Sequence, residues 1–324
     1  MPQIQIRPFH RRDRDQLTSL VNAHAAAVVP GIGVSVAAAL SDLERQPDEF
    51  ITGPWVQERV TLVAEQGHRV AAAAHLLRYF ADERAGVAYR GSGEIRWLVF
   101  WPEAPAGNPY WPDATEAAEQ LIGACIRQLE QWGVTRQDAD GDLPVPGVYG
   151  VPEQWPHVRA LYERAGFRHQ GHTEVVHLAR VEDLPRPAGP PVEGLAVRRS
   201  VGMNGTRLSA VLKEEAVGYI EVDTLPEGQR LTRHSGWADV GNLHVAEKYR
   251  RRGVATWLLG QAAAWLDLAH VDRLLDYTSV DDTSLDDTGQ PDATGYRALL
   301  TASGFTELTR TERVWTRMTR AGRG

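Results

Sequence analysis

The sequence has few of the residues that cross-link a chain or bind soft metals. Its single cysteine, Cys125, excludes an intrachain disulfide and a thiolate-rich zinc site in a chain of 324 residues. One cysteine also suits a reducing compartment, so a cytoplasmic location is expected. Long apolar runs are missing too, because the longest, 23–40, is mainly Ala, Val and Gly and is broken by Pro30. We therefore expect neither a secretory signal nor a membrane span.

Positive charge is not in excess either. The chain has 35 Lys and Arg against 42 Asp and Glu, a formal net charge of -7. Such a balance gives no general attraction for nucleic acid or anionic lipid, although a local basic cluster can still bind a small anion. Hydrophobic content of 43% indicates a globular protein, and the length, about twice that of a usual domain, favours two domains.

The chain contains an imperfect internal repeat. The Gly-Phe pair at Gly166 recurs at Gly304, an offset of 138, with an Arg-Ala-Leu triplet before each pair and a Thr-Glu pair after it. Near the N-terminus Ile6 matches Val197 at an offset of 191, so the second copy lacks 53 residues, including a helix–turn–helix predicted for 23–40. Because 183–194 is rich in Pro and Gly, we predict domains at 1–182 and 195–320 with a linker between them.

The second copy predicts a mixed fold. Apolar and β-branched stretches between turn residues predict strands at 195–200, 207–213, 217–225, 237–245, 273–280 and 307–318. Apolar spacing predicts helices at 254–268 and 294–302. The order favours an α/β fold of the mixed α+β kind, in which each domain has a mostly antiparallel sheet flanked by helices.

The segment from Asn242 to Thr256 has the composition of an anion site between a strand and a helix. Gly253 and the small Ala255 permit a close approach of the backbone, and the first N–H groups of a helix converge on an anion. Three consecutive arginines, 250–252, add positive charge. A solvated basic helix start is the alternative. The Gly-Lys-Ser/Thr ending of a P-loop and the G-x-G-x-x-G of a Rossmann fold are both absent.

This segment resembles the acetyl-CoA-binding motif of the GNAT superfamily of N-acetyltransferases, R/Q-x-x-G-x-G/A, through Arg250, Gly253 and Ala255. The preceding Leu243 and Val245 are similar to the family's L-x-V strand, and the internal repeat is that of tandem GNAT proteins. The resemblance implies transfer of an acetyl group from acetyl-CoA to a primary amine, by direct attack on the thioester.

The resemblance also implies the residues that hold the coenzyme. Main-chain N–H groups of 251–256 would bind the pyrophosphate, the edge at Leu243 and Val245 would pair with pantetheine, and the Val245 N–H would polarise the thioester carbonyl. The implied site comprises Leu243, His244, Val245, Arg250, Arg251, Arg252, Gly253, Val254, Ala255 and Thr256.

The matching loop of the first copy, 101–113, is unsuited to a phosphate. It holds four prolines, which lack an N–H group, together with Glu103 and Asp113. No Lys or Arg occurs between Arg96 and Arg127. We predict a degenerate first domain with a structural or acceptor-shaping role, and a second acetyl-CoA site remains the alternative.

A protonated amine acceptor requires a base, and Asp239 is the first candidate because it lies four residues before Leu243. Strand alternation predicts Asp239 on the side of Leu243 and Val245, with His244, the second candidate, on the opposite side. A salt-bridge partner or a structural histidine is the alternative for each. Glu221 and Asp223 are weaker candidates.

The acid for the departing thiolate is the least defined role. The resemblance implies a tyrosine four residues before the Gly-Phe pair, which is Tyr162 in the first copy but Leu300 in the second. Tyr296 lies one helical turn earlier on a similar face and is the substitute candidate. Packing of Tyr296 in the core, and protonation by solvent or coenzyme, are the alternatives.

Acidic residues near the second Gly-Phe pair suggest what the acceptor is. Seven lie between 272 and 292, and their charge would attract a cationic small-molecule or peptide amine. A solvated acidic loop of no function is the alternative. They are Asp272, Asp276, Asp281, Asp282, Asp286, Asp287 and Asp292. Asp138, Asp140 and Asp142 have only part of a calcium-loop pattern, so no metal site is expected.

A second class of function stays open. A silent acyl-CoA-binding sensor or scaffold would keep the loop at 250–256 and dispense with the tyrosine at position 300. The sequence predicts no oligomeric state.

Overall fold

A computed structural model of the protein describes residues 3–44, 55–101, 114–186, 189–203, 205–223, 236–280 and 293–318. The chain divides into two compact units, Met1–His172 with Thr311–Gly324, and Thr173–Arg310. The fold is mixed α/β, as predicted, with helices and a mostly antiparallel sheet in each unit.

The N-terminal unit is built on a sheet of order β1-β2-β3-β4-β5-β13, in which β6 also pairs with β13. Its strands are β1 (Ile4–Pro8), β2 (Val56–Gln66), β3 (Arg69–Tyr79), β4 (Ser92–Phe100), β5 (Arg136–Ala139), β6 (Val151–Pro152) and the later part of β13 (Thr306–Met318). Its helices are α1 (Arg14–Val28), α2 (Val36–Glu44), α3 (Thr115–Gln131) and α4 (Pro156–Arg164). The predicted helix–turn–helix near Pro30 is confirmed, because α1 ends and α2 begins on either side of that proline.

The C-terminal unit has the sheet order β7-β12-β11-β10-β9-β8. Its strands are the later part of β7 (Arg168–Arg180), β8 (Ala196–Gly202), β9 (Gly205–Leu212), β10 (Glu215–Asp223), β11 (Trp237–Val245) and β12 (Arg273–Ser279). Its helices are α5 (Val254–Leu268) and α6 (Ala293–Ala302). All are antiparallel pairs except β11 with β12, which run parallel and are connected through α5.

The last strand of each sequence copy lies in the other unit. Residues 174–180 of β7 pair with β12, and residues 315–318 of β13 pair with β5. The bounds of the compact units therefore differ from the domains predicted at 1–182 and 195–320. Those domains remain a prediction about the sequence copies, because repeats in a sequence do not indicate which unit their strands join.

Helix α5 covers one face of the C-terminal sheet. It is rich in Ala and Leu, both strong helix formers, and buries Trp257, Leu258 and Leu266 against a core that includes Ile220 and Leu243. Strands β8 and β9 are joined by a tight turn in place of the two helices that follow β1. In the part of this unit that the structure describes, no helix corresponds to α1 or α2. No helix formed by the described residues has the length and apolar character needed to cross a bilayer.

Candidate functional site

Strands β11 and β12 separate part of the way along their length. Their parallel ladder runs from Trp237–Arg273 to Asp239–Leu275 and stops there, although the strands continue to Val245 and Ser279. We refer to the opening between Val240–Val245 and Asp276–Ser279 as the splayed cleft. Polar main-chain groups of two strands that diverge in this way are available to an extended ligand.

A bulge at Gly241 decides which side chains share a face of β11. Asn242 pairs with Glu221 whereas Val240 pairs with Val222, so one extra residue lies in β11 between two successive pairs. The bulge reverses the alternation, so Asp239 lies on the face of Asn242 and His244 rather than with Leu243. The predicted face of Asp239 is therefore wrong, whereas His244 lies opposite to Leu243 and Val245, as predicted.

The same bulge leaves the core side of β11 apolar. Val240 and Leu243 both pack in the core with α5, although they are three positions apart and would lie on opposite faces of a regular strand. The glycine at 241 offers no side chain to bury, which suits the extra position.

The loop between β11 and α5 forms a helix start with unpaired N–H groups. The first backbone bond of α5 runs from the Trp257 N–H to the Gly253 carbonyl, so the N–H groups of 254–256 have no acceptor within the helix. Gly253 precedes the helix at a φ of 79°, in the left-handed region, and has no Cβ to hinder the approach of a ligand. The side chains of Arg251 and Arg252 are exposed beside it. This arrangement fits a phosphate or pyrophosphate.

The edge of β11 that borders the splayed cleft carries the polar groups of Leu243 and Val245. The Ala246 N–H donates to the Val217 carbonyl on the β10 side, at 2.9 Å. Since main-chain groups alternate along a strand, the N–H groups of 243 and 245 point away from β10 and toward the cleft. The Arg250 side chain donates from Nε to the Val245 carbonyl at 3.0 Å, which ties the basic loop to this edge.

Asp239 lies at the point where the cleft opens, and a tyrosine holds it. The Tyr277 hydroxyl donates to Asp239 Oδ1 at 3.0 Å. Burial raises the pKa of Asp239 to about 6, the Tyr277 hydrogen bond opposes that rise, and the nearby Asp223 adds to it. A carboxylate with a pKa near 6 is ionised at neutral pH and still basic enough to accept a proton.

Replacing Tyr277 by Phe should raise the pKa of Asp239, because it removes a hydrogen bond that favours the ionised carboxylate. If Asp239 acts as a base, the acid limb of the pH–rate profile moves to higher pH by about half a unit to one unit. Initial rates from pH 5 to 9 measure the limb. Tyr219→Phe is the matched control, since the Tyr219 hydroxyl accepts from Asn242 at 3.1 Å and contacts no carboxylate there. An unmoved limb in Tyr277→Phe contradicts the assignment.

A second buried carboxylate, Asp276, lies immediately beyond the end of the same ladder. Its Oδ2 accepts from the Tyr296 hydroxyl at 2.6 Å and its Oδ1 from the Tyr277 N–H at 2.7 Å. Burial raises the pKa of Asp276 to about 7, and burial and Asp276 together raise the pKa of Tyr296. Leu300, at the position where the resemblance implied a tyrosine, is fully buried in the core. Of the two helix positions, Tyr296 is therefore the one connected to the cleft.

The acidic run has a different disposition from the predicted one. Asp276 is 3% exposed within β12, so it belongs to the sheet and is not a solvated loop residue. Asp272 is exposed but precedes β12, at the end of the strand opposite the cleft. The other five aspartates, Asp281, Asp282, Asp286, Asp287 and Asp292, lie outside the described residues.

The remaining acid–base candidates have structural partners. Glu221 is 1% exposed and forms an ion pair with Arg207, whose Nε lies 2.6 Å from it. Asp223 lies opposite Asp239 in the β10–β11 ladder. The His244 ring lies 5.7 Å from that of Tyr219, on the face of Asp239. Tyr277 has no predicted role. It lies two positions after Leu275, the ladder partner of Asp239, and so shares the face of β12 on which Leu275 lies.

In the N-terminal unit the corresponding cleft is closed. The β4–β5 ladder ends at Ile95–Ala139, but the Asp140 N–H then donates to the Ile95 carbonyl and the Asp142 N–H to the Arg96 carbonyl. An ion pair between Arg96 and Asp142 reinforces this closure. Glu94, the counterpart of Asp239, accepts from the Tyr79 hydroxyl. Most of the loop that the sequence analysis found unsuited to phosphate, 102–113, lies outside the described residues.

The three aspartates of the partial calcium-loop pattern form ion pairs with arginines. Asp138, Asp140 and Asp142 pair with Arg136, Arg313 and Arg96. Across the described ranges, no three His, Cys, Asp or Glu side chains are grouped to hold a metal ion.

Comparison with known families gives one match. Residues 180–285 match the model of the acetyltransferase (GNAT) family, which covers the splayed cleft and the loop before α5. No curated protein matches the sequence significantly.

Several solved structures share the fold over nearly the whole chain. A tandem GNAT protein from the clavulanic acid biosynthesis pathway, solved without AcCoA, has a TM-score of 0.61 and 12% identity over 98% of both chains. A GCN5-related N-acetyltransferase from Sphaerobacter thermophilus has a TM-score of 0.57 and 15% identity over 97% of this chain and 94% of that one. A glucosamine N-acetyltransferase region of a fungal β-N-acetylglucosaminidase has a TM-score of 0.60 and 11% identity over 98% of this chain and 38% of that one. At these identities the similarity shows the fold alone.

Proposed function

We propose that the chain is a tandem GNAT-superfamily acyltransferase that transfers an acetyl group from acetyl-CoA to a primary amine. The family match at 180–285 and the shared fold support this proposal. One observation carries the proposal. In the C-terminal unit the splayed cleft is open beside the unpaired N–H groups of α5, whereas the corresponding cleft of the N-terminal unit is closed by hydrogen bonds.

The C-terminal unit would hold the acyl donor with main-chain groups. The N–H groups of 251–256 would bind the pyrophosphate, with charge from Arg250, Arg251 and Arg252. The cleft edge at Leu243 and Val245 would pair with the pantetheine amides. The Val245 N–H would then donate to the thioester oxygen, where negative charge develops as the amine attacks. Acetyl-CoA supplies the activated acetyl group.

The proton transfers would use Asp239 as the base and Tyr296 as the acid. Asp239 takes a proton from the acceptor ammonium, directly or through one water, and Tyr277 holds its carboxylate in place. Tyr296 donates a proton to the departing thiolate. His244 shares the face of Asp239 and is the alternative base.

The N-terminal unit would have no acyl donor site, and we assign it a structural or acceptor-shaping role. The acceptor we propose is a small-molecule or peptide amine. Buried Asp239 places negative charge at the cleft, which favours a cationic acceptor. The single cysteine supports a cytoplasmic protein.

A direct assay tests the function. Purified protein is incubated with acetyl-CoA and a panel of polyamines, aminoglycosides and peptide amines, while free thiol is followed. Calorimetry with CoA measures binding separately. We expect binding near micromolar affinity and amine-dependent thiol release. Binding without release on any amine would replace the enzyme by the alternative, an acyl-CoA sensor or scaffold.

A further inference from the structure

We propose that Asp276 is a positioning residue behind Tyr296, so that the two side chains deliver one proton in series to the departing thiolate. The inference deepens the proposed acetyl transfer and rests on it. It gives a role to a buried carboxyl group that acetyl transfer as described above leaves unused.

The geometry places the pair at the cleft although both groups are largely buried. Asp276 follows Leu275, the last residue of the β11–β12 ladder, and it is 3% exposed. Each of its oxygens accepts one hydrogen bond, from the Tyr296 hydroxyl and from the Tyr277 N–H. The Tyr296 side chain reaches β12 from α6 and is thereby fixed at the cleft opening.

A tyrosine bonded to an ionised carboxylate is a poor acid, because losing its proton leaves two negative oxygens 2.6 Å apart. A protonated Asp276 removes this difficulty, because its O–H can donate to the Tyr296 oxygen instead of accepting from it, which leaves the Tyr296 O–H to donate to the sulfur. As the carbon–sulfur bond breaks, its electron pair stays on sulfur and takes the Tyr296 proton. The Asp276 proton moves to the Tyr296 oxygen, and Asp276 becomes the carboxylate, which solvent reprotonates before the next turnover.

The surroundings favour the protonated form of Asp276. Burial and the neighbouring Asp239 raise its pKa to about 7, whereas the hydrogen bonds from Tyr296 and Tyr277 oppose the rise. His177 lies across the strands on β7, and burial lowers its pKa, so it contributes little positive charge near neutrality. Arg297 on α6 bonds to Thr278 and the Ser279 carbonyl rather than to Asp276.

The pH dependence of kcat tests the series transfer. In the wild type we expect kcat to fall as pH rises through about 7, because Asp276 must carry a proton. Asp276→Asn should lower kcat at pH 7 by about tenfold and move the alkaline limb upward by more than one unit, since the tyrosine alone remains. The KM for acetyl-CoA should not change.

A double-mutant cycle separates this role from a structural one. Tyr296→Phe should lower kcat by about 100-fold, and adding Asp276→Asn should cost nothing more, because the series is already broken. Asp272→Asn is the matched control at the exposed end of β12 and should leave the limb in place. Thermal unfolding checks the fold of each variant. If Asp276→Asn does not fold, loss of the limb near pH 7 in Tyr296→Phe tests the series instead.

Two outcomes overturn the inference while acetyl transfer stands: an unchanged alkaline limb in Asp276→Asn, or losses that add in the double variant. If Asp276→Asn cannot be used, a limb near pH 7 that persists in Tyr296→Phe overturns it equally. A wild-type protein that releases no thiol with any amine overturns the proposed function, and the inference with it.

Discussion

Asp239→Asn should lower kcat by about 100- to 10,000-fold, the range typical for loss of a general base. Asparagine is nearly isosteric and its amide oxygen can still accept from Tyr277, so the geometry at the cleft opening is retained. The KM for acetyl-CoA should not change, because its proposed contacts lie on the main chain of 243–256. Steady-state rates with saturating amine at pH 8 measure the effect.

Glu94→Gln is the matched control, since Glu94 is at the equivalent strand position in the N-terminal unit. We expect its kcat to stay within about twofold of the wild type, as that cleft is closed. Equal losses in both variants would contradict the assignment of chemistry to the C-terminal unit. A wild-type rate in Asp239→Asn would instead make His244 the leading candidate base.

Gly253→Val should weaken CoA binding by about 100-fold or more, which corresponds to roughly 2.7 kcal/mol. At φ 79° a β-branched residue is strained, and the added Cβ would lie 3.3 Å from Pro191 Cβ. The strain is relieved by turning the peptide away from this conformation, which disperses the N–H groups at the start of α5. Calorimetry with CoA measures the loss.

Gly31→Val provides the control for strain alone. Gly31 has the same φ of 79°, lies in the N-terminal unit, and has no heavy atom within 4 Å of an added Cβ. Both variants should lose a similar amount of stability in thermal unfolding, but only Gly253→Val should lose affinity for CoA. Equal affinities for CoA in the two variants would show that this loop does not bind the pyrophosphate.

The fold of the C-terminal unit follows closely from local patterns. The predicted bounds of β11 and α5, 237–245 and 254–268, agree with the structure at both ends. Each segment is bounded by residues with a strong local preference, such as Gly236 before β11 and Gly253 before α5. Where a boundary depends on its own residues, a single sequence is sufficient to locate it.

The sequence-based predictions that are wrong or missing all concern how one segment of the chain lies relative to another. The bulge at Gly241 places Asp239 on the face opposite to the predicted one, because a period of two cannot reveal an inserted position. Asp276 was grouped with its acidic neighbours, although its burial is imposed by pairing with β7 and by the packing of α6. The Tyr277–Asp239 bond depends on the register between β11 and β12, which no local pattern encodes.

The exchanged strands impose an order on biosynthesis. The sheet of the N-terminal unit is completed by residues 315–318, which are synthesised long after β5 (Arg136–Ala139). Until then the edge of β5 has no neighbour on that side, and a strand edge in that state is prone to pair with other chains. Such distant pairing slows folding. Splitting the gene at the linker would leave each product without its closing strand, so the two halves should be produced as one polypeptide.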